Sequence, residues 1–542
     1  MVSTLAASLR NENIRRVELA WGAAIAAEWA HFVALGVYAY DHGGASAVGV
    51  AGLVRLLPAA IIAPFAASLG DRFRRERILL AMTLLGSAAL AGSALAFFAG
   101  QRVLVFALAG VLGISSTLTR PALQALLPSL ARTPEELIAA NGATSTIESL
   151  GTLVGPLVAG ILVSVADAGL VFIVAAATLL VGAGLLVRVR VEGRVEIDAV
   201  EQGSAVTMLS RGLRAIWRAA DTRLIIGLVI AQTFVRGCLN VLIVVAAFQV
   251  LDEGAGAVGY MTAAIGIGGL LGAVGAMTLE GRRLAVPFGL ALVFWGAPLM
   301  LMAPWRELSA ALVLLAIVGA ANSVEDVAVF TLIQRITPDA ILTSVLGVLW
   351  GLAMGAVAIG SLAAPVIVDW IGPRAAFAAV GAVLPVLALL TYRRLASIDR
   401  SIVPVPELEL IDRVPMFAPL SVVGKERVAS LLVHRSVEAG EVVIRAGDAG
   451  DRFYIVGDGE LDIDAGGRHT TAHRADYFGE IALLRDVPRT ATVVASVDSE
   501  LLGLQRDDFL AAVTGHAAAH TAGEEVAASR LEHGAARLDP TD

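Results

Sequence analysis

Cysteine and lysine are almost missing from this chain. One cysteine, Cys238, stands among 542 residues, which excludes an intramolecular disulfide and a cysteine-rich metal centre. Lys425 is the single lysine, so the 40 basic residues are otherwise arginine; that bias reads as compositional rather than functional. Charge of either sign is scarce, at 16% of residues against about a quarter in ordinary globular domains. A net charge of −8 argues against nucleic acid as a partner. No nucleophile–base pair, metal-ligand spacing or Walker-type loop is visible, so neither an enzyme, a metal site, a cofactor nor ATP use is expected. The N-terminus shows no signal-peptide pattern, because a long apolar run is followed by a second span with no cleavage site.

What the chain does have is hydrophobe. It is 57% hydrophobic with a mean hydropathy of +0.78, too apolar for an ordinary globular protein. Residues 17–394 are nearly continuous apolar sequence, whereas residues 400–542 read as charged and soluble. A helix needs about 20 apolar residues to cross the hydrocarbon core. Segments of that size fall near 17–40, 47–69, 78–98, 103–127, 138–165, 169–188, 224–250, 257–279, 285–303, 308–334, 340–369 and 375–393, which makes twelve spans in a lipid bilayer. Arginine placement orients them. With the N-terminus inside, the inner side carries Arg72, Arg74, Arg75, Arg77, Arg132, Arg188, Arg211, Arg214, Arg218, Arg282, Arg283, Arg335 and Arg393 among others. The outer loops carry only Arg102, Arg306 and Arg374. Both termini are therefore expected in the cytoplasm of a multi-pass protein of the cell membrane.

The two halves, about 15–190 and 222–395, look like repeats. Gly155–Phe172 matches Gly360–Phe377 at an offset of 205, and Thr133-Pro134 recurs as Thr337-Pro338 at 204. Six-helix halves related in this way suggest a transporter with its small-molecule site between them. Between the halves, Met208, Leu209, Leu213 and Ile216 alternate with Arg211, Arg214 and Arg218 at helical spacing. That fits an amphipathic helix on the inner membrane surface, or a solvated helix linking two bundles.

The loop Ser68–Arg77, SLGDRFRRER, resembles the signature of the major facilitator superfamily between its second and third spans. Asp71, Arg72 and Arg75 match it, while Ala67 and Arg74 stand where the family has glycines. The resemblance covers residues 15–395 and implies that Asp71, Arg72 and Arg75 tie an inner gate. Arg120–Gly142 and Gly151–Gly160 resemble the multidrug and siderophore exporter branch, whose glycine-proline signature lies in span five. Read as bare sequence, the same glycines permit close helix packing.

A charge at mid-bilayer costs about 2.5–3.5 kcal/mol on insertion scales, so each calls for a partner or a purpose. Glu28 lies in the middle of span one, Arg236 in the middle of span seven, and Glu148 early in span five. Arg120 in span four and Glu325 with Asp326 in span ten fall at nearly equivalent depths of the two halves. Arg55 lies in the outer half of span two, near enough to an end to snorkel. One reading is a central cavity in which acids bind protons, Glu28 foremost, or a cationic substrate. The other is a set of structural ion pairs, for example Arg236 with Glu325.

Residues 396–411, with Pro404 and Pro406, read as an extended, semi-rigid linker. A helix-like stretch at Leu420–Leu432 follows, then short alternating strands with glycine turns from Val437 to Asp464, the pattern of an all-β jelly roll. The run Phe478–Val493, FGEIALLRDVPRTATV, resembles the phosphate cassette of cyclic-nucleotide-binding domains. Gly479 allows close backbone approach, the start of a short helix at Glu480 faces the phosphate, and Arg489 after the stiff Pro488 supplies the cation. The resemblance implies that Glu480 holds the ribose 2′-hydroxyl and that Ile481 and Ala482 donate backbone N–H groups. It also implies that Thr490 contacts the phosphate or a guanine, leaving cAMP against cGMP open with cAMP favoured.

The expected fold is a twelve-span α-helical membrane domain (1–395), a linker (396–411) and a cytoplasmic all-β roll with flanking helices (412–542). The expected function is secondary transport of a small molecule, proton-coupled export, regulated by cyclic nucleotide. The alternative is a membrane-anchored nucleotide receptor on a scaffold that moves no substrate.

Overall fold

The computed structural model describes residues 11–72, 75–130, 134–189, 205–276, 284–337, 339–400, 405–420, 422–514 and 517–535. Among them, eleven helices are long and apolar enough to cross a membrane. Lipid offers backbone groups no hydrogen-bond partner, and a helix satisfies them within the segment. α1 (Glu12–Arg72) has 61 residues, which at 1.5 Å each is roughly 90 Å, about three times a hydrocarbon core. It is broken at Gly43 and at Gly44, whose φ of 61° and ψ of −154° suit glycine alone. α1 thus holds the residues of the first two expected spans.

α2 (Arg75–Phe98), α3 (Arg102–Leu130), α4 (Pro134–Val165) and α5 (Ala168–Leu186) complete the first half, and α6 (Ala205–Arg218) follows it. The second half contains α7 (Ala220–Val245) ending in a π-helical turn at Ala246–Val250, then α8 (Ala255–Ala276), α9 (Ala285–Met302), α10 (Leu308–Ile336), α11 (Asp339–Ile371) and α12 (Pro373–Arg400). The halves meet where α4 packs on α8 and α1 packs on α11. Small residues make this contact possible. A Cβ on Gly259 would lie 2.4 Å from the Gly160 Cα, and one on Gly49 would lie 2.5 Å from the Ser361 carbonyl. Gly155 meets α1 in the same way, 2.5 Å from the Ala26 carbonyl. The glycine-proline stretch Gly151–Gly160 therefore packs against both halves.

The linker differs from expectation. α12 stays helical to Arg400, and α13 (Val405–Asp412) begins with Pro406 in its first turn, where the missing N–H has no intrahelical acceptor to lose. An extended 396–411 is thus excluded over its described residues. The chain divides into two compact units, with Leu284–Ala396 closing the first and Ser397–Asp542 forming the second.

In the second unit, α14 (Val422–Leu431) leads into two four-stranded antiparallel sheets. Their strands are β1 (Val433–Val437), β2 (Val442–Ile444), β3 (Arg452–Asp458), β4 (Leu461–Asp464), β5 (His469–Ala472), β6 (Tyr477–Phe478), β7 (Thr492–Ala495) and β8 (Ser499–Gln505). The orders are β1-β8-β3-β6 and β2-β7-β4-β5. Tyr454 and Val456 of β3 point into the core between the sheets, with Val437, Leu461, Phe478 and Val493. Phe453 and Ile455 point the other way into a core shared with Phe417 and Phe509. Period-two alternation on a strand buried on both faces produces this division. α15 (Glu480–Leu484), α16 (Arg506–Thr514) and α17 (Ala517–Ala535) complete the unit. α17 is held to α15 by an ion pair of 2.8 Å between Glu524 and Arg485.

Candidate functional site

β6 delivers the chain to Gly479, which caps α15 at φ 92°. An added Cβ there would come within 2.6 Å of Arg489 Nη1 and 3.0 Å of the Arg452 carbonyl. The position therefore demands glycine for its backbone angle and for the arginine packed against it. Arg489 Nη1 donates to the Gly479 carbonyl at 3.0 Å, and Nη2 donates to the Arg452 carbonyl at 2.7 Å and to Asp451 Oδ1 at 3.0 Å. The Arg489 backbone is also clasped: its N–H donates to the Asp448 carbonyl and its carbonyl accepts from Gly447 N–H, both at 2.8 Å. The guanidinium side chain is only 3% exposed, whereas Asp451 is 70% exposed.

Three of the five N–H donors of this buried cation are thus engaged, by two carbonyls and one carboxylate. The first turn of α15 presents N–H groups that have no intrahelical acceptor, and it brings buried Glu480 and Ala482 and half-buried Ile481 to the same place. Thr490 is exposed at the rim. Asp451 is not legible as a site residue in the sequence. It lies 38 residues from Arg489, and its only signal is its place just after the Gly447 and Gly450 turns. One expected result follows from the packing. Gly479→Ala should weaken cyclic-nucleotide binding about tenfold or more, since it adds ~1–2 kcal/mol of left-handed strain and displaces Arg489. Calorimetry on the purified chain checks this, and an unchanged affinity would exclude the cradle.

Several of the membrane charges find partners within their own half. Glu28 Oε1 pairs with Arg55 Nη2 at 2.6 Å, and Arg55 lies over the Phe32 ring. Arg55 therefore reaches inward to an acid rather than snorkelling. Glu148 Oε2 pairs with Arg120 Nη2 at 2.6 Å, and Trp21 Nε1 donates to Glu148 Oε1. In the other half, Asp326 accepts from Asn322 Nδ2 at 2.9 Å, and Asn322 Oδ1 faces Trp295 Nε1 and Gln232 Nε2. Glu325 is buried, with Oε2 lacking a hydrogen-bond partner.

Among the described residues no ion pair joins Arg236 to Glu325 or Asp326, contrary to expectation; Arg236 is exposed. The side chains of Asp71, Arg72 and Arg75 lie outside the described residues.

Two clusters escaped sequence reading. Glu18 is fully buried and accepts from Thr144 Oγ1; at the edge of span one it reads as a terminal charge. Near the other end of that span, Tyr40 stacks on Phe248 with centroids 4.5 Å apart and accepts from Gln249 Nε2 at 2.7 Å. Phe248 and Gln249 lie in the π-helical turn, a form of helix enriched at functional positions.

Fold and site together define a polytopic helical membrane protein that carries a β-roll with a buried, clasped arginine. The profile of the Major Facilitator Superfamily matches residues 19–353, more than half of the chain, and the chain belongs to that superfamily. The profile of the Cyclic nucleotide-binding domain matches residues 434–516, so the roll is such a domain. Among curated proteins, the cAMP-dependent protein kinase regulatory subunit of Yarrowia lipolytica is 38% identical over 102 residues, 18% of this chain and 27% of that protein. The same subunit of Eremothecium gossypii is 36% identical over 141 residues, 25% of this chain and 31% of that protein. The chain thus spans about a third or less of these relatives. A solved structure described as "Sp-2Cl-cAMPS bound to PKAR CBD2" is 27% identical and covers 24% of this chain and 90% of that one, at a TM-score of 0.22.

Proposed function

We propose that this protein is a secondary transporter of a small molecule across a cell membrane, regulated by cAMP bound to its C-terminal domain on the cytoplasmic side. The observation that carries the reading is the presence in one chain of a helical unit whose two halves pack together and a β-roll in which buried Arg489 is held beside the glycine-capped start of α15. Arginine asymmetry supports the orientation, with both termini cytoplasmic. The names of the matched relatives favour cAMP over cGMP.

The membrane domain is taken as residues 1–395, its substrate and coupling groups as Glu28, Arg120, Glu148, Arg236, Glu325 and Asp326, and its inner gate as Asp71, Arg72 and Arg75. The nucleotide groups are Gly479, Glu480, Ile481, Ala482, Arg489 and Thr490. The resemblance of span five to exporters favours export. Coupling to protons fits Glu28, because a proton there weakens its hold on Arg55.

In this reading Tyr40, Phe248 and Gln249 form the outer gate. A ligand shifts a conformational equilibrium only through its preference for one state. Labelling of Phe248→Cys by a membrane-impermeant maleimide, in a Cys238→Ala background, tests the coupling. The expected result is a labelling rate that changes on addition of cAMP and does not change in Arg489→Ala. A gate that stays closed to the reagent with and without cAMP would instead favour a membrane-anchored receptor on an immobile scaffold.

A further inference from the structure

α6 presents three different faces around its axis. Gly212 and Ile216 pack inward, with a Cβ on Gly212 falling 2.4 Å from the Ser344 carbonyl of α11. Arg211, Arg214 and Arg218 are all exposed and, at spacings of three and seven residues, fall within roughly 60° on the helix wheel. Leu213 and Trp217 lie between these faces, 37% and 68% exposed.

Trp217 has Arg223 as a neighbour. Arg223 Nη1 donates to its carbonyl at 2.7 Å, and the Arg223 guanidinium sits 6.0 Å from the indole centroid. Among the described residues no ion pair engages Arg211, Arg214 or Arg218. A buried face, an exposed apolar edge and a basic stripe in that order match the depth profile of a membrane surface.

The geometry points to α6 as a binding surface for an acidic phospholipid of the adjoining leaflet, with the arginine stripe on the headgroups and the Leu213–Trp217 edge at the acyl boundary. The orientation proposed above decides only which leaflet supplies that lipid. A soluble anion uses the stripe and leaves the apolar edge in water, whereas a lipid covers both. Tryptophan is the residue enriched at headgroup level. The surface also differs from an ordinary positive-inside loop, because helix packing on α11 holds its three arginines in one row.

Native mass spectrometry of the purified full chain, equilibrated with equal phosphatidylglycerol and phosphatidylcholine, reads the preference directly. Each arginine near an anionic surface contributes about fivefold, so the three together should retain phosphatidylglycerol about a hundredfold better. The triple variant Arg211→Gln/Arg214→Gln/Arg218→Gln should lose that preference, and the corresponding triple lysine variant should keep it. A wild type that binds both lipids equally, or a glutamine variant with preference intact, overturns the proposal. Should the glutamine variant not fold, the wild type decides alone. Its preference must fall as potassium chloride rises to molar concentration, and a salt-independent preference counts against the surface. Inorganic phosphate at millimolar concentration should leave the lipid bound; full displacement identifies an anion site with no use for the apolar edge and refutes lipid recognition.

Discussion

Replacing Arg489 by alanine should weaken cyclic-nucleotide binding by roughly thirtyfold to several thousandfold, or ~2–5 kcal/mol. The size follows from where the charge sits. At 3% exposure the guanidinium is shielded from water, so its attraction for a phosphate is far less screened than at a surface. It is also already ordered: the Gly479 and Arg452 carbonyls and Asp451 fix its plane before any ligand arrives, so little side-chain entropy is lost on binding. Alanine removes the charge and leaves two carbonyls of the cradle without their donor, which should also lower the melting temperature of the domain. Arg489→Lys keeps the charge but cannot span the same acceptors, and it should fall between the two. Glu480→Ala should lose less, ~1–3 kcal/mol, because its partner would be a neutral hydroxyl. Titration calorimetry on the full chain with cAMP and cGMP decides this. No heat from the wild type with either nucleotide at millimolar concentration leaves a docking domain in place of a sensor.

The ease of reading this site in the sequence has a physical cause. A cyclic phosphate needs a glycine where the backbone must take φ 92° and an arginine in a recess, and few residue types serve. Identity and spacing thus survive as a run of sixteen letters. Asp451 carries no such mark, because its contact with Arg489 is made by the folding of β3 beside β6. The membrane charges were legible as anomalies, since apolar surroundings make any charge costly, but their pairing was not. Depth along a helix can be counted, whereas the direction a side chain faces depends on helix packing. Hence the sequence marks Glu28 but not its pairing with Arg55, and the matching depths of Arg236 and the span-ten acids do not make an ion pair. The linker differs from its expected extended form for a simpler reason: Pro406 suits the first turn of a helix as well as an extended chain. Gly43 and Gly44, the break in α1, were legible only as a gap between apolar runs.

Truncating Arg55 should be the most damaging single change in the membrane unit. Its side chain is 13% exposed, and that of Glu28 is 30% exposed. Loss of one member leaves the other charged in an environment that solvates it poorly, a penalty of ~3–5 kcal/mol for a fully buried pair. Partial exposure of Glu28 places Arg55→Met near the lower end, at about 3 kcal/mol. The site also has no room to relax. Gly113 of α3 approaches the Arg55 backbone so closely that a Cβ would lie 2.1 Å from its carbonyl oxygen, which fixes α1 against α3 at that level. The buried Arg55 Nε has no hydrogen-bond partner, so Glu28 is the principal compensation for this charge. Glu28→Gln keeps the shape but strands the cation, and it should be nearly as harmful. Glu28→Gln/Arg55→Met removes both charges and should cost less than the sum of the two single variants. Thermal unfolding of the three variants in one detergent measures the coupling. Strictly additive losses would show that the 2.6 Å contact contributes nothing, and the proposal that a proton on Glu28 acts by releasing Arg55 would fall with it.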